Sequence, residues 1–420
     1  MNQSIPDMIR SKAQAAKAAM RKLSRTSVDL RNDALLAMAD SILGFKDKIR
    51  EANRVDLENG QETGLAEPLM QRLALDDKKI ERMADNLRQV AALPDPIGEV
   101  TRMWERPNGL RIGTVRVPIG VVGVIYESRP DVTVEVSALC IKSGNSVLLR
   151  GGSEAIHSNT ALATILSETA GREGIPGAIQ FVDIIDRQAV HEMIGLPDLI
   201  DLVVPRGSYE LVRYLMRESE MPVLGHADGL CHVYVDEAAD VDMAEKICLN
   251  AKYEYKVAVC NTMETLLVHE KVAPIFLPAI CKKFTDAGVE LRGCEKTRQI
   301  CPDIVPATDA DWQTEYLDWI LSIRVVSDFD AAVDHIETYG SHHSDAIVTE
   351  SYATAQRFLK EVDSAAVYVN ASTSFTDGYE FGLGAEVGIS TQKLHCRGPM
   401  GLDGLTSYKY IIYGSGQVRT

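Results

Sequence analysis

The chain has 420 residues, of which 45% are hydrophobic and 25% are charged, and its formal net charge is −16. A globular chain of this length exceeds one ordinary core, so we expect two or three domains. The acidic balance disfavours a nucleic-acid-binding surface, which requires a basic face.

The apolar runs, the chain start and the cysteines indicate the cellular compartment of the protein. The apolar run 117–126 contains Pro118 and two glycines and is too short to span a bilayer, so we expect no membrane segment. The chain start lacks the basic and apolar regions of a signal peptide, and the eight cysteines include no CxxC pair. We therefore expect a reduced, cytoplasmic protein.

The first 95 residues predict helices. Apolar side chains recur at helical spacing through 30–42, and Pro94 and Pro96 end the region. The next segments, 110–112 and 115–117, alternate apolar and basic residues, which indicates an extended and partly exposed hairpin or arm.

From about residue 120, short apolar runs alternate with helix-like segments. The predicted strands are 121–125, 146–149, 179–182 and 199–204, followed by a second series at 232–235, 263–268, 345–348 and 365–369, with helices at 274–284 and 329–337 and a final strand at 408–413. This alternation predicts buried parallel sheets of the doubly wound type, which bind ligands at the carboxyl ends of their strands. The absence of an evident linker predicts domains that interleave along the chain.

Two turns that follow predicted strands could hold phosphate. Arg150, Gly151 and Ser153 follow one strand, and Gly207 and Ser208 follow another and open a helix-like stretch. A helix start offers unpaired N–H groups to an anion, and arginine offers a bidentate fork. No GxGxxG or P-loop motif occurs, and ordinary βα turns share this composition, so both interpretations remain open.

Cys260 lies just before the predicted strand 263–268. A thiolate there could attack an acyl group and form a thioester. Most free cysteines are small buried hydrophobes, so the local sequence alone leaves this interpretation open.

Three further segments could contribute to a ligand-binding site. Arg129 lies at the mouth of a predicted helix and could hold a carboxylate or phosphate, or form an ion pair with Asp131 or Glu127. The polar stretch 370–373 follows a strand, a placement that favours ligand contact. The glycine-dense segment 381–388 predicts either a loop that closes over a site or a simple turn.

A metal site is not expected. His342 and His343 lie near Asp345, but adjacent residues rarely converge on one ion, which favours a polar loop over metal ligation.

Four long motifs carry a resemblance to a known family. Residues 118–133, 143–152, 260–265 and 390–402 resemble the γ-glutamyl phosphate reductases, also called glutamate-5-semialdehyde dehydrogenases, which belong to the aldehyde dehydrogenase superfamily. The similarity runs from the N-terminal helices to the tail. It implies an aldehyde dehydrogenase-like fold with two doubly wound α/β domains and a β oligomerisation arm.

The resemblance also implies domain boundaries and an activity. The expected parts are an NADP-binding domain (1–103, 118–229 and 358–375), a catalytic domain (230–357) and the arm (104–117 and 395–420). The implied activity is the second step of proline biosynthesis, NADPH-dependent reduction of L-glutamyl 5-phosphate to L-glutamate 5-semialdehyde with release of phosphate. A homo-oligomer and a glutamate 5-kinase partner are implied as well.

Site residues carry over position by position. The resemblance implies that Cys260 is the nucleophile and that Ser128 stands where the superfamily keeps an oxyanion-stabilising asparagine. The implied cofactor-binding residues are Arg150, Gly151, Ser153, Gly207, Ser208 and Glu315, with Glu315 on the nicotinamide ribose and Arg150 favouring NADPH. The expected substrate-binding residues are Arg129, Asn370 and Ser372.

Two departures from relatives matter. Val223 stands where hydrolytic aldehyde dehydrogenases keep a glutamate base, which suits a thioester that is reduced rather than hydrolysed. Val257 stands where the reductases typically have proline, beside Lys256, which could lower the thiol pKa or contact phosphate. Two alternatives stay open: a hydrolytic aldehyde dehydrogenase and a non-catalytic, nucleotide-binding assembly subunit.

Overall fold

The computed structural model describes residues 4–226 and 228–419. These residues form two compact units. The first contains the described residues up to Gly225, with Gly382–Gly388 and those from Met400 onward. The second contains the described residues of His226–Phe381 and Ile389–Pro399. The units interleave along the chain, as predicted.

The described helices are α1 (Ile5–Leu23), α2 (Val28–Gly44), α3 (Lys46–Glu62), α4 (Glu67–Leu73), α5 (Asp77–Ala92), α6 (Asp131–Lys142), α7 (Ile156–Arg172), α8 (Gln188–Ile194), α9 (Tyr209–Glu218), α10 (Val241–Leu249), α11 (Ala273–Asp286), α12 (Glu295–Ile300), α13 (Phe329–Tyr339) and α14 (Tyr352–Glu361). The described strands are β1 (Val100–Glu105), β2 (Arg111–Pro118), β3 (Val121–Tyr126), β4 (Ser146–Gly151), β5 (Ile179–Phe181), β6 (Leu202–Arg206), β7 (Cys231–Val235), β8 (Met263–His269), β9 (Glu290–Gly293), β10 (Val305–Pro306), β11 (Ile320–Val326), β12 (Ser344–Val348), β13 (Ala366–Val369), β14 (Ile389–Ser390), β15 (Gly398–Pro399) and β16 (Thr406–Tyr413).

A four-stranded parallel sheet forms the centre of the first unit. Its strand order is β5-β4-β3-β6, and β3 and β4 are buried along their full length. This burial on both faces explains the continuous apolar runs in the sequence. Strand β6 begins three residues later than predicted, because the amides of Leu199 and Ile200 close a turn onto the carbonyl of Leu196.

The predicted arm is an antiparallel sheet of β1, β2 and β16. It begins at Val100 rather than at residue 104, and β16 pairs with β2 from Thr406 to Tyr413. The sequence expectation placed all of 395–420 in the arm. Residues 395–399 lie instead in the second unit, because β15 pairs with β14 there.

A seven-stranded parallel sheet forms the centre of the second unit, in the order β10-β9-β11-β8-β7-β12-β13. The expectation grouped 358–375 with the first unit. The structure places this segment in the second, because β13 is hydrogen-bonded along β12. The predicted α/β class with parallel sheets is confirmed. Within the described residues, no helix is both long and apolar enough to cross a membrane.

Candidate active site

Cys260 lies in a tight turn that leads into β8. A π-helical turn, Asn250–Glu254, follows α10 and brings the chain to this point. The amide of Thr262 donates to the carbonyl of Val259 at 3.0 Å and closes the turn. The Cys260 residue is only partly buried.

The backbone of Cys260 is held from one side by the segment that enters β7. A Cβ atom at Gly229 would lie 2.0 Å from the Cys260 carbonyl oxygen, so only glycine fits there without displacement of the chain. The same oxygen accepts a hydrogen bond from Cys231 Sγ at 3.2 Å. The position of the nucleophile is therefore determined by direct contact with β7 and the residues before it.

Hydrogen bonds of Asn261 hold the other side of the turn that contains Cys260. Asn261 Nδ2 donates to the carbonyls of Ser374 and Thr376 at 3.1 and 3.0 Å, and its carbonyl accepts from Thr373 Oγ1 at 2.7 Å. The stretch after β13, which the sequence predicted to face a ligand, thus lies directly beside the nucleophile. Its contacts run through Thr373 and two backbone carbonyls.

Asn370 and Ser372 have local backbone partners. Asn370 Oδ1 accepts from the amide of Thr349 at 2.9 Å, and its Nδ2 donates to the carbonyl of Thr349 at 3.0 Å. Ser372 Oγ accepts from the amide of Ser374 at 3.2 Å. Asn370 thus ties the end of β13 to the residue after β12, and Ser372 stabilises the turn that flanks Asn261.

Two histidines lie close to the nucleophile. One ligand atom from each of His226, Cys260 and His343 lies within 4.8 Å of the other two. His343 is fully buried, and its Nδ1 is 2.9 Å from Ser344 Oγ. This cluster was missed at the level of sequence, because its members come from three distant segments.

The neighbours of His343 in sequence are engaged elsewhere. His342 Nδ1 is 2.9 Å from the carbonyl of Asp363, and Asp345 lies 2.8 Å from the buried His232 Nδ1. His342, His343 and Asp345 therefore have separate partners.

Glu315 is connected to the nucleophile by way of Gly229, which contacts the Cys260 backbone. Glu315 Oε1 accepts from the Gly229 amide at 2.9 Å. Burial raises the pKa of Glu315 to about 7, the Gly229 amide opposes the rise, and the nearby charge of Glu264 adds to it.

A buried ion pair holds the loop that carries Glu315. Lys252 Nζ and Glu264 Oε2 are 2.7 Å apart with both side chains fully buried, and Glu264 Oε1 accepts from the amide of Leu317 at 3.0 Å. Burial raises the pKa of Glu264 to about 7 and lowers the pKa of Lys252. The pair joins the π-helical turn, the start of β8 and this loop, and nothing in the local sequence pattern predicts it.

In the first unit, a carboxylate of the chain itself occupies an amide of one predicted phosphate turn, the one that opens α9. The amide of Ser208 donates to Glu127 Oε2 at 2.7 Å, and Ser208 Oγ caps α9. A Cβ atom at Gly207 would lie 2.4 Å from the same Glu127 oxygen. The N-terminus of α9 thus binds a carboxylate, as expected for its unpaired amides and positive dipole end.

Ser128 makes a similar arrangement with Glu154. The Ser128 backbone has a left-handed φ of 47°, and its amide and hydroxyl both donate to Glu154 Oε1, at 2.6 and 2.8 Å. A hydroxyl has one proton, so Ser128 Oγ can donate to an oxyanion only after it leaves Glu154.

Arg150 is almost fully buried and lies within range of the charges of these acidic groups. Burial lowers its pKa, and the charges of Glu154 and Glu127 oppose that effect. Its Nη2 donates to the carbonyl of Ile185 at 3.1 Å, whereas its buried Nε has no partner among the described residues. An unsatisfied, buried guanidinium N–H fits an anionic group such as a phosphate of a dinucleotide.

The remaining predicted site residues of the first unit, Gly151, Ser153 and Arg129, lie in different environments. Gly151 packs against Asn159, where a Cβ atom would lie 2.1 Å from Nδ2, and Ser153 is exposed at the start of a short 3₁₀ turn. Burial lowers the pKa of Arg129, and the like charge of Arg206 adds to this effect while Asp131 opposes it. Two arginines near one another suit an anionic ligand.

Comparisons with known proteins identify the family of the chain. Residues 2–306 match the model of the aldehyde dehydrogenase family. The γ-glutamyl phosphate reductase of Thermodesulfovibrio yellowstonii is 53% identical over 416 residues, which cover 99% of this chain and 99% of that protein. The chain belongs to the γ-glutamyl phosphate reductases of the aldehyde dehydrogenase family.

Solved structures extend the likeness to the fold. The crystal structure of γ-glutamyl phosphate reductase from Thermotoga maritima superposes with a TM-score of 0.96 at 48% identity, covering 98% of this chain and 100% of that one. An engineered glycolyl-CoA reductase with bound NADP⁺ shares the fold at a TM-score of 0.66 and 17% identity, with 96% of each chain covered. The family resemblance inferred from sequence is confirmed.

The structure shows the surroundings of Val223 and Val257, the two residues that differ from those of the relatives. Val223 is buried in the apolar core of the first unit, with no carboxylate at that position to activate water. Val257 is half-buried, and Lys256 is exposed with its Nζ 4.9 Å from the centre of the Tyr255 ring. The ammonium group of Lys256 is thus directed to an aromatic face.

Proposed function

We propose that this γ-glutamyl phosphate reductase reduces L-glutamyl 5-phosphate to L-glutamate 5-semialdehyde with NADPH and releases inorganic phosphate, the second step of proline biosynthesis. The observation that carries the proposal is the partly exposed Cys260, whose backbone is held on both sides. Gly229 and Cys231 hold its backbone on one side, and Asn261 is fastened on the other. Such pre-organisation is what a covalent nucleophile requires.

The first step forms a thioester. The Cys260 thiolate attacks the acyl carbon, the bond from that carbon to the phosphate oxygen breaks, and phosphate leaves with the electron pair. The Cys260 amide and the Ser128 hydroxyl, once released from Glu154, donate to the developing oxyanion. Val223 leaves no base at the position from which hydrolytic relatives activate water.

The second step reduces the thioester. NADPH, when bound, supplies the hydride. The hemithioacetal that results then collapses: its oxygen loses a proton, the carbon–sulfur bond breaks, and the Cys260 thiolate is regenerated with release of the aldehyde.

The residues proposed to hold the dinucleotide are Arg150, Gly151, Ser153, Gly207, Ser208 and Glu315. Arg150 suits a 2′-phosphate, which favours NADPH over NADH. Arg129 is proposed to bind a substrate anion. Asn370 and Ser372 are proposed to shape the substrate pocket through the backbone contacts that they make.

We also propose roles for the larger parts. The first unit binds NADP, the second carries the nucleophile, and the sheet of β1, β2 and β16 joins copies of the chain into a homo-oligomer. A glutamate 5-kinase is the proposed supplier of the acyl phosphate in the cytoplasm, because that substrate hydrolyses readily in water.

One reverse assay tests reaction and cofactor together. Purified protein is given glutamate 5-semialdehyde, and reduced nicotinamide is followed with NADP⁺ or NAD⁺, with and without phosphate. We expect phosphate-dependent reduction that is faster with NADP⁺. Aldehyde oxidation without phosphate would indicate a hydrolytic dehydrogenase, and nucleotide binding without turnover would indicate an assembly subunit.

A thiol variant tests the mechanism. Cys260→Ser should lower turnover by at least about 10³-fold, because an unactivated hydroxyl is a far weaker nucleophile than a thiolate. The matched control is Cys301→Ser, which changes another partly buried thiol of the same unit and should retain activity. Normal turnover by Cys260→Ser would contradict the proposal.

A further inference from the structure

We propose that His226, Cys260 and His343 form a binding site for a divalent transition-metal ion, with Zn²⁺ as the reference ion, and that occupation of this site reversibly blocks the nucleophile. The proposal begins with proximity. One ligand atom from each residue lies within 4.8 Å of the other two. All three residues belong to the second unit.

The chemistry of the ligand set suits zinc. One thiolate and two imidazoles match catalytic-type zinc sites, in which three protein ligands leave a fourth position for water. Tetrahedral zinc with these ligands requires ligand atoms roughly 3.4–3.6 Å apart. Because the atoms lie within 4.8 Å of one another, coordination requires each pair to approach by at most about 1.3 Å.

His343 provides an independent observation. Its side chain is fully buried, and its Nε2 has no hydrogen-bond partner among the described residues. A buried polar nitrogen without a partner is costly, and metal coordination would satisfy it. His343 thus combines an unsatisfied ligand atom with a place in the cluster around the thiol.

The histidines also have the outer contacts that metal-binding imidazoles use. His343 Nδ1 is 2.9 Å from Ser344 Oγ, which is itself 2.6 Å from Thr376 Oγ1. His226 Nδ1 is 2.8 Å from the carbonyl of Ile389. Contacts of this kind orient the ring and select the nitrogen that meets the metal.

Binding would have a direct chemical consequence. The metal replaces the thiol proton, which is released to solvent, and the sulfur lone pair is donated to the ion rather than to an acyl carbon. The enzyme would be inhibited while the metal is bound and restored by a chelator. The inhibition rests on the proposed role of Cys260, whereas the binding does not.

The first experiment measures binding on the full chain, independently of turnover. Titration of the apo-protein with Co²⁺ should produce a thiolate-to-cobalt charge-transfer band, and competition with a coloured chelator should give the Zn²⁺ affinity. Cys260→Ala, His226→Gln and His343→Gln should each weaken Zn²⁺ binding by at least about tenfold. If the buried His343→Gln variant does not fold, the other two variants carry the test.

The matched controls are His342→Asn, the neighbouring histidine, and Cys301→Ala, another partly buried thiol of this unit. Both should retain the wild-type affinity and the cobalt spectrum. Equal Zn²⁺ affinity of the wild type and the Cys260→Ala variant would overturn the site.

The second experiment measures protection. Zn²⁺ should slow the alkylation of Cys260 by iodoacetamide at least about tenfold, as read by mass spectrometry, and EDTA should reverse the effect. Unchanged alkylation of Cys260 under saturating Zn²⁺ would overturn the proposal. Protection without any reductase turnover would refute the proposed function and leave the metal site standing.

Discussion

Gly229 lies so close to Cys260 that any side chain at position 229 would displace the backbone of the nucleophile. A Cβ atom would lie 2.0 Å from the Cys260 carbonyl oxygen, a distance that backbone atoms cannot tolerate. We predict that Gly229→Ala lowers kcat by about 10²-fold, the typical effect of a displacement near 1 Å at a reacting group.

The measurement is kcat together with the rate at which iodoacetamide labels Cys260. Gly44→Ala is the control, because nothing lies within 4 Å of a Cβ atom at that exposed helix end. Wild-type kcat in the Gly229→Ala variant would show that the nucleophile tolerates displacement of its backbone.

Glu315 predicts a pH dependence of stability. Burial raises its pKa from 4.5 to about 7, so the folded state holds this proton more tightly than the unfolded chain. Its contribution is therefore fully present below about pH 4.5 and is lost as the pH rises through about 7. Glu315→Gln keeps an acceptor for the Gly229 amide and removes the titration.

The expected result is a melting temperature that falls less steeply between these pH values in the variant than in the wild type. Glu264 has a pKa raised in the same direction, so the slope should become smaller and not vanish. Glu237→Gln is the control, because that exposed carboxyl has a lowered pKa. Identical slopes in the wild type and Glu315→Gln would refute the assignment.

At the scale of elements, the ion pair of Lys252 and Glu264 joins the π-helical turn to β8. Removal of one partner leaves a buried charge without compensation, which costs about 3–5 kcal/mol. We predict that Lys252→Met lowers the urea midpoint strongly at pH 8. The loss should be smaller at low pH, where Glu264 takes up a proton and becomes neutral.

Lys246→Met provides the matched control, since Lys246 is an exposed residue of α10. The double variant Lys252→Met/Glu264→Leu should recover much of the lost stability, because it removes both charges. A Lys252→Met midpoint equal to that of the control would contradict this account.

The sequence predicts strands directly where a continuous apolar run is buried on both faces. Strands β3 and β4 are buried on both faces, so their apolar runs identify them directly. The mostly buried strand β11 was not predicted, because Ser322 and Arg324 interrupt its apolar run. The short strands β10, β14 and β15 have two residues each, too few for a periodic pattern, and they were missed.

The candidate site likewise contains residues that the sequence could identify and residues that it could not. Cys260 could be found because its local motif resembles a family. His226 and His343 could not, since only the order of β7, β8 and β12 in the sheet brings their segments together. Glu127 and Glu154 were missed as well, because a carboxylate that folds back onto an amide has no periodic signature.

At the scale of the whole molecule, the exposed face of β16 predicts association. Tyr408, Tyr410 and Ile412 point to the same side of the strand, and each is more than half exposed. Tyrosine is enriched at interface centres. Tyr410→Glu should therefore weaken self-association by at least about tenfold in dissociation constant.

Sedimentation over a range of protein concentrations measures the effect. Lys409→Glu places the same carboxylate on the adjacent residue, whose side chain points to the other face, and should leave the mass unchanged. A Tyr410→Glu protein with the wild-type mass at every concentration would exclude this face as the interface.

Domain boundaries were the least predictable feature. Residues 358–375 were expected in the first unit, and hydrogen bonds between β13 and β12 place them in the second. Local patterns report whether a strand is buried but not which sheet it joins, because partner choice depends on contacts far away in the sequence.

Glu127 and Glu154 give the turns of the first unit a built-in competitor. Each carboxylate is tethered beside the amide that it occupies, at 2.7 and 2.6 Å, so its effective concentration there is of the order of millimolar or above. A small free anion, such as the phosphate that the proposed reaction releases, has to displace it with the strength of a single contact. A dinucleotide brings many contacts at once, so we expect it to displace these carboxylates where a small free anion does not.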